Sequence, residues 1–250
     1  MAAVLQTFSL NKHFGGITAT QDVSLSLEQG ARHALIGPNG AGKTTLINLL
    51  TGVLVPTAGR IELEGSDITG LAPHQRVRRG LVRTFQINQL FAELTPLESV
   101  ALAACERLRL GVRWWQVTGR NRAVVEESAD ILERLRLADV MNQKTAVLPY
   151  GKRRLLEIAI AIASRPKVLL LDEPVAGVPE GEREEILHTL AALPAEVTVL
   201  LIEHDMDLVF SFANRISVLV NGAVYAEGTN EEVARDERVR AVYLGEASHD

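Results

Sequence analysis

From Ala31 onward the chain runs through an apolar segment, "ARHALIG", then "PNGAGKTT", then "LINLLTG". That order predicts a buried strand, a loop and a helix closed by Gly52. The pattern returns later. "KVLLLDEP" is a continuous apolar strand ending in acids, "EREEILHTLAAL" has the spacing of an amphipathic helix, and "VTVLLIEHD" is another buried strand. Repeated strand–helix units of this kind imply a parallel sheet covered by helices. By contrast, "QDVSLSLEQG" and "GRIELEG" alternate apolar and polar residues, as half-exposed antiparallel strands do. From about Thr95 to Ser164 the period becomes helical, with "PLESVALAACERL", "NRAVVEESADILERLRL" and the helix after Gly151.

The expected fold is therefore α/β: a mostly parallel sheet with helices, an N-terminal antiparallel β subdomain and an inserted α-helical subdomain. The core is expected over residues 1–94 and 165–228, the helical insert over 95–164 and a helical tail over 229–250. No repeat, low-complexity tract or flexible linker divides the chain, so one domain over 1–250 is expected.

Composition narrows the possible functions. The chain has 250 residues, 47% of them hydrophobic, enough for a substantial core. Its net charge of −5 lacks the basic surplus of a dedicated nucleic-acid binder, so no nucleic-acid partner is expected. Cys105 is the single cysteine, which excludes an internal disulfide and fits a reducing compartment. The start "MAAVLQTFSLNK" lacks the features of a signal peptide, and apolar runs such as Ile158–Ala163 fall far short of the ~18 residues that cross a bilayer. A cytoplasmic location is expected, with any membrane role coming through a partner.

Two stretches carry chemistry. "GPNGAGKTT", covering Gly37, Pro38, Asn39, Gly40, Ala41, Gly42, Lys43, Thr44 and Thr45, matches G-x-x-x-x-G-K-[ST] between a strand and a helix. Bare glycines let backbone N–H groups approach phosphate oxygens, Lys43 reaches the β- and γ-phosphates, and the Thr44 hydroxyl suits Mg2+. At the end of "VLLLDE", Asp172 suits the metal, and Glu173 suits a water it would orient or deprotonate. In open α/β sheets the carboxyl ends of the strands face the ligand. A third stretch, "LPYGKRR", sets a proline, a glycine and three cations at a helix start, whose partial positive charge they oppose. Either an anion docks there or the stretch is a solvated basic turn.

With these residues in place, the chain resembles the ATP-binding subunits of ABC transporters over essentially its whole length. The resemblance implies a P-loop ATPase core. It also implies roles for residues that are weak signals alone: Gln86 in "TFQ" beside Mg2+ and the attacking water, His204 in "IEHD" as the switch histidine, and Phe14 in "KHFGG" against adenine. "LPYGK" stands where the family has an "LSGGQ"-type signature, so Pro149, Tyr150, Gly151 and Lys152 would contact ATP held by the opposite subunit of a head-to-tail dimer. ATP and Mg2+ are the implied ligands. Implied partners are a second ATPase subunit, identical or paralogous, transmembrane permease subunits and, indirectly, a periplasmic binding protein. The subunit would sit on the inner membrane face through the permease. Two departures stand out: Pro149 replaces the signature serine, and Pro179 replaces an Asp or Asn in "AGVPEG".

"RTFQINQLFAELTPLESVALA", "RLGVRWWQVTGRN" and "VRAVYLGE" resemble subunits of branched-chain amino acid importers. Urea and short-amide importers and the lipopolysaccharide-export ATPase share some of these features. Soluble ABC ATPases of DNA repair or translation usually carry two cassettes or long arms, and this chain has one cassette without arms. Trp114 and Trp115, among Arg109, Arg113, Arg120 and Arg122, either pack on the helical lobe or meet a membrane partner or lipid headgroups.

Overall fold

The computed structural model describes residues 3–84, 90–110 and 122–246, and its contacts divide the chain into two units. One unit comprises Met1–Leu81, Lys167–Glu173 and Pro194–Asp250; the other comprises Val82–Pro166 and Pro174–Leu193.

In the first unit, β1 (Ala3–Phe14) pairs antiparallel with β2 (Ile17–Val23), β3 (Ser26–Glu28) and β5 (Ala58–Leu63), the last of which also pairs with β6 (Ser66–Asp67). Simple alternation does not reveal β1 as the centre of this sheet. Its register shifts between Leu10 and Lys12 and again between Lys12 and His13, and Ser9 sits at φ 45°, so bulges break the period of two.

The second sheet holds β4 (Arg32–Ile36), β8 (Val168–Asp172), β9 (Thr198–Ile202), β10 (Arg215–Val220) and β11 (Ala223–Gly228) in the order β11-β10-β4-β9-β8. β10, β4, β9 and β8 run parallel, while β11 returns antiparallel to β10. The parallel strands are almost wholly buried, which explains their continuous apolar sequence. A further strand, β7 (Leu81–Arg83), begins at the last residue of the first unit's opening segment.

Helix α1 (Lys43–Thr51) drives Leu46, Ile47, Leu49 and Leu50 into the main core beside Leu35, Leu170 and Leu200. Burying each such side chain stabilises the unit by about 1.5–3 kcal/mol. Gly52, at φ 79°, closes the helix, as its position in the sequence predicts. From α2 (Pro73–Arg78), the buried Arg76 donates to the carbonyls of Leu49 and Leu50 at 2.7 Å each, and to those of Leu71 and Thr69. A cation thus caps the carboxyl end of α1, where the helix dipole favours it.

In the second unit, α3 (Pro96–Arg107) opens with a reciprocal cap in which Thr95 accepts from the Glu98 N–H and the Glu98 carboxylate accepts from the Thr95 N–H. α3 packs on α4 (Arg122–Arg134) through Ala101, Ala104, Cys105 and Val124. α5 (Tyr150–Ala163) buries Leu155, Leu156, Ile158 and Ala159, and α6 (Glu180–Ala191) comes after the acids. Gln86, Arg113, Trp114, Trp115 and Arg120 lie outside the described residues. The chain closes, back in the first unit, with α7 (Met206–Phe212), α8 (Asn230–Arg235) and α9 (Glu237–Glu246).

Candidate functional site

The glycine-rich loop leaves β4 and enters α1 earlier than the sequence pattern predicts. The helix starts at Lys43 rather than Leu46, because Gly42, at φ 99°, turns the backbone straight into it without a side-chain cap. The N–H groups of Lys43, Thr44 and Thr45 therefore belong to the first helical turn, which has no intrahelical acceptor for them. That turn also carries no acidic residue. Gly37 is irreplaceable on contact grounds: at φ 153°, a Cβ there would lie 2.1 Å from the Leu219 carbonyl. At Gly42 a Cβ would lie 2.4 Å from the Ala19 carbonyl. Gly40, at φ 78°, has nothing within 4 Å, so the crest of the loop is open. Lys43 folds its ammonium over this loop, 2.5 Å from the Gly37 carbonyl and 3.0 Å from that of Pro38. Ala41 is buried, and its carbonyl takes the Gly222 N–H at 2.9 Å, tying the loop to the β10–β11 turn.

The parallel register brings the strand ends into line. Leu35 lies opposite Ile202, and Ile202 lies opposite Asp172, so β4, β9 and β8 end level with one another. The loop Gly37–Thr45, His204 and the pair Asp172–Glu173 thus leave adjacent strands at one edge of the sheet.

Glu173 adopts φ 46°, a left-handed conformation that costs a branched or long side chain on the order of 1–3 kcal/mol. Its N–H is pinned to the Ile202 carbonyl at 2.9 Å, which holds the carboxylate just beyond the strand. The His204 Nδ1 lies 3.7 Å from a Glu173 oxygen and 3.8 Å from the buried Glu203 carboxylate, within charge range of both. The Glu203 carboxylate also accepts the His204 N–H at 3.1 Å. Asp205 caps α7 by accepting from the Leu208 N–H, which sets where the histidine leaves the strand. At the far end of β1, Phe14 is half exposed, with the Lys12 ammonium 5.1 Å from its ring.

In the second unit, each cation of "LPYGKRR" has a partner within the chain. Lys152 donates to the Arg136 carbonyl at 2.6 Å and to Glu185 at 3.1 Å. Arg153 donates to the Leu148 and Ala146 carbonyls, and Arg154 to the Pro174 carbonyl and to Glu157 at 2.6 Å. Burial pushes the Glu157 carboxyl up to about 7, although Arg154 pulls it down. Pro149 is the N-cap of α5 and offers no side-chain acceptor; the Gly151 N–H instead donates to Glu182 at 2.7 Å. Pro179 likewise caps α6 without a side-chain bond. Nothing in the sequence pattern points to Glu182, because its contact spans two helices.

Among the described residues no cluster of three or more His, Cys, Asp or Glu could hold a metal unaided. The oxygens of Thr44 and Asp172 fit a hard cation that draws its other ligands from phosphates and water, as Mg2+ does.

A family model described as "ABC transporter" matches residues 20–176. The chain belongs to the ABC transporter family. A second model, the "Branched-chain amino acid ATP-binding cassette transporter", matches residues 226–249. The chain is 41% identical over 251 residues to the high-affinity branched-chain amino acid transport ATP-binding protein BraF of Pseudomonas aeruginosa, covering 98% of each. It is 40% identical to the corresponding protein LivG of Salmonella typhimurium, again covering 98% of each. The ADP conformation of MJ1267, an ATP-binding cassette of an ABC transporter, superposes with a TM-score of 0.85 at 35% identity, covering 98% of this chain and 100% of that one. The fold is that of an ABC ATPase cassette, and the chain is an ATPase of this family. No helix among the described residues is long and apolar enough to cross a membrane.

Proposed function

We propose that this chain is the ATP-hydrolysing subunit of an importer of branched-chain amino acids, working as a head-to-tail pair docked on membrane permease subunits and served by a periplasmic binding protein. The observation that carries the chemistry is the level ending of β4, β9 and β8, which sets the phosphate loop, His204 and the Asp172–Glu173 pair on one sheet edge. The relatives BraF and LivG, ATP-binding proteins of high-affinity branched-chain amino acid transport, support the choice of cargo.

In this reading the amides of Gly40–Thr45 and the Lys43 ammonium hold the phosphates, and Phe14 stacks on the adenine. Thr44, Asp172 and Gln86 would hold Mg2+, which would supply positive charge against the phosphoryl oxygens. Glu173 orients and deprotonates the attacking water, and His204, beside it, fixes that carboxylate and senses the γ-phosphate. The signature turn Pro149–Lys152 of the opposite subunit completes the site, with the bare Gly151 admitting the phosphate to a helix N-terminus.

Glu173→Gln should bind ATP normally, lose about 10²-fold or more in turnover and accumulate as an ATP-bound dimer. Steady-state hydrolysis and sedimentation in Mg-ATP check this; near-normal turnover would falsify the role of Glu173.

A further inference from the structure

The signature turn already holds an anion from its own chain. α5 begins with no side-chain cap: Pro149 offers no side-chain acceptor, and the first turn carries no acid. The amides and the partial charge of that turn call for a negative group, and Lys152, Arg153 and Arg154 add to the demand. α6 supplies it twice from one face, since residues three apart on a helix lie side by side. Glu182 accepts the Gly151 N–H at 2.7 Å, and Glu185 accepts from Lys152 at 3.1 Å. The preceding residue is tied as well, the Tyr150 hydroxyl donating to the Ala176 carbonyl at 3.1 Å. Three successive signature residues are thus engaged by the segment 176–185. The contact is close enough that a Cβ at Gly151 would lie 2.3 Å from the Glu182 oxygen, so the glycine admits this carboxylate as it would admit a phosphate.

We propose that Glu182 is an internal guard of the signature turn, its carboxylate occupying the Gly151 amide until the γ-phosphate carried by the opposite subunit displaces it. The proposal rests on the two-subunit site described above. One N–H shared between two anions bonds each of them more weakly, and a carboxylate left beside a phosphate repels it. Closure on ATP must therefore break this intrachain bond first, which sets the nucleotide concentration at which the pair closes and holds the nucleotide-free subunit open.

The test uses the full chain with Glu173→Gln in every sample, so that ATP persists. The ATP concentration giving half-maximal dimer is measured by sedimentation velocity, with melting temperatures of the nucleotide-free subunits recorded alongside. Glu182→Gln keeps the shape but replaces a charge-assisted bond by a neutral one, and should lower the midpoint about five- to tenfold. Glu182→Asp stays charged but falls one methylene short of the amide, and should lower it by less. If one variant fails to fold, the other decides. A midpoint unchanged or raised in a folded variant, whatever its melting temperature, overturns the proposal and leaves Glu182 a structural cap. An absence of any ATP-dependent dimer in Glu173→Gln itself is a different failure: it overturns the two-subunit site, and the guard with it.

Discussion

Phe14 is 46% exposed at the tip of β1, so its side chain adds little to the core and is available to a ligand. Phe14→Ala should weaken ATP binding by about 1–3 kcal/mol, the range for base–aromatic stacking, while the melting temperature stays nearly constant. Calorimetry with ATP and with inorganic tripolyphosphate separates the roles, since an equal loss for both would make Phe14 merely structural. His33 poses the opposite case, a polar group with no route to substrate. It is 1% exposed; its Nε2 lies 2.8 Å from the Ser217 hydroxyl, which donates to Glu227, and its Nδ1 makes no hydrogen bond. Burial holds the imidazole down at about 4, from 6.5. The folded value lies below the unfolded one, so the unfolded chain takes up a proton that the folded chain refuses. The contribution of His33 to stability is then complete above pH 6.5 and lost as the pH falls toward 4. Urea midpoints between pH 7 and 4.5 should fall for the wild type and fall less steeply for His33→Leu. Parallel slopes would show that other groups govern the acid limb.

At the scale of elements, α1 joins the chemistry to the core. Its amino end faces the phosphate loop, and its carboxyl end is closed by Gly52 and by the Arg76 guanidinium. Arg76→Met fills similar space but leaves the Leu49 carbonyl with only the Gly52 N–H and the Leu50 carbonyl without the guanidinium donor, at about 1–3 kcal/mol for a buried carbonyl left unpaired. A clear drop in melting temperature is expected, together with a weaker affinity for ATP as the helix end frays. An unchanged melting curve would mean that water replaces the guanidinium. None of this is visible in the sequence, where Arg76 is one basic residue in "HQRVRR". The legible features are those that neighbouring residues determine: the apolar runs of β4, β8 and β9, the loop Gly37–Thr45 between strand and helix, and the acids at a strand end. The illegible ones depend on distant partners or broken periodicity. β1 is disguised by its bulges, the hairpin β10–β11 escapes the pattern, and α1 starts before its apolar run because Gly42 acts through its conformation rather than through a capping side chain. The cations of "LPYGKRR" are open to two readings in the sequence because their partners, such as Glu185 and the Pro174 carbonyl, lie 20 residues or more away along the chain.

For the whole molecule, the decisive property is that each proposed site draws on two chains: the phosphate loop of one and the signature turn of the other. This predicts complementation. A subunit with Lys43→Ala keeps its signature turn but cannot position phosphates, because the contact of the ammonium is lost. A subunit with Gly151→Asp keeps its phosphate loop but sets a carboxylate where the partner's γ-phosphate must arrive. Gly151→Asp also crowds Glu182 within its own chain, since even a Cβ at that position approaches the Glu182 oxygen to 2.3 Å, so its melting curve must first show a folded subunit. Alone, each variant can form only pairs in which every site is damaged. Mixed, they can form a pair in which one site carries both lesions and the other carries none. The mixture should therefore hydrolyse ATP faster than either variant at the same total concentration, with a rate that peaks near equal amounts of the two. If two folded variants remain as inactive together as they are apart, then either one intact site does not suffice or the sites do not lie between subunits. ATP binding to the mixture separates these outcomes: an ATP-dependent dimer that does not turn over requires both sites, whereas no dimer at all rules out the shared site.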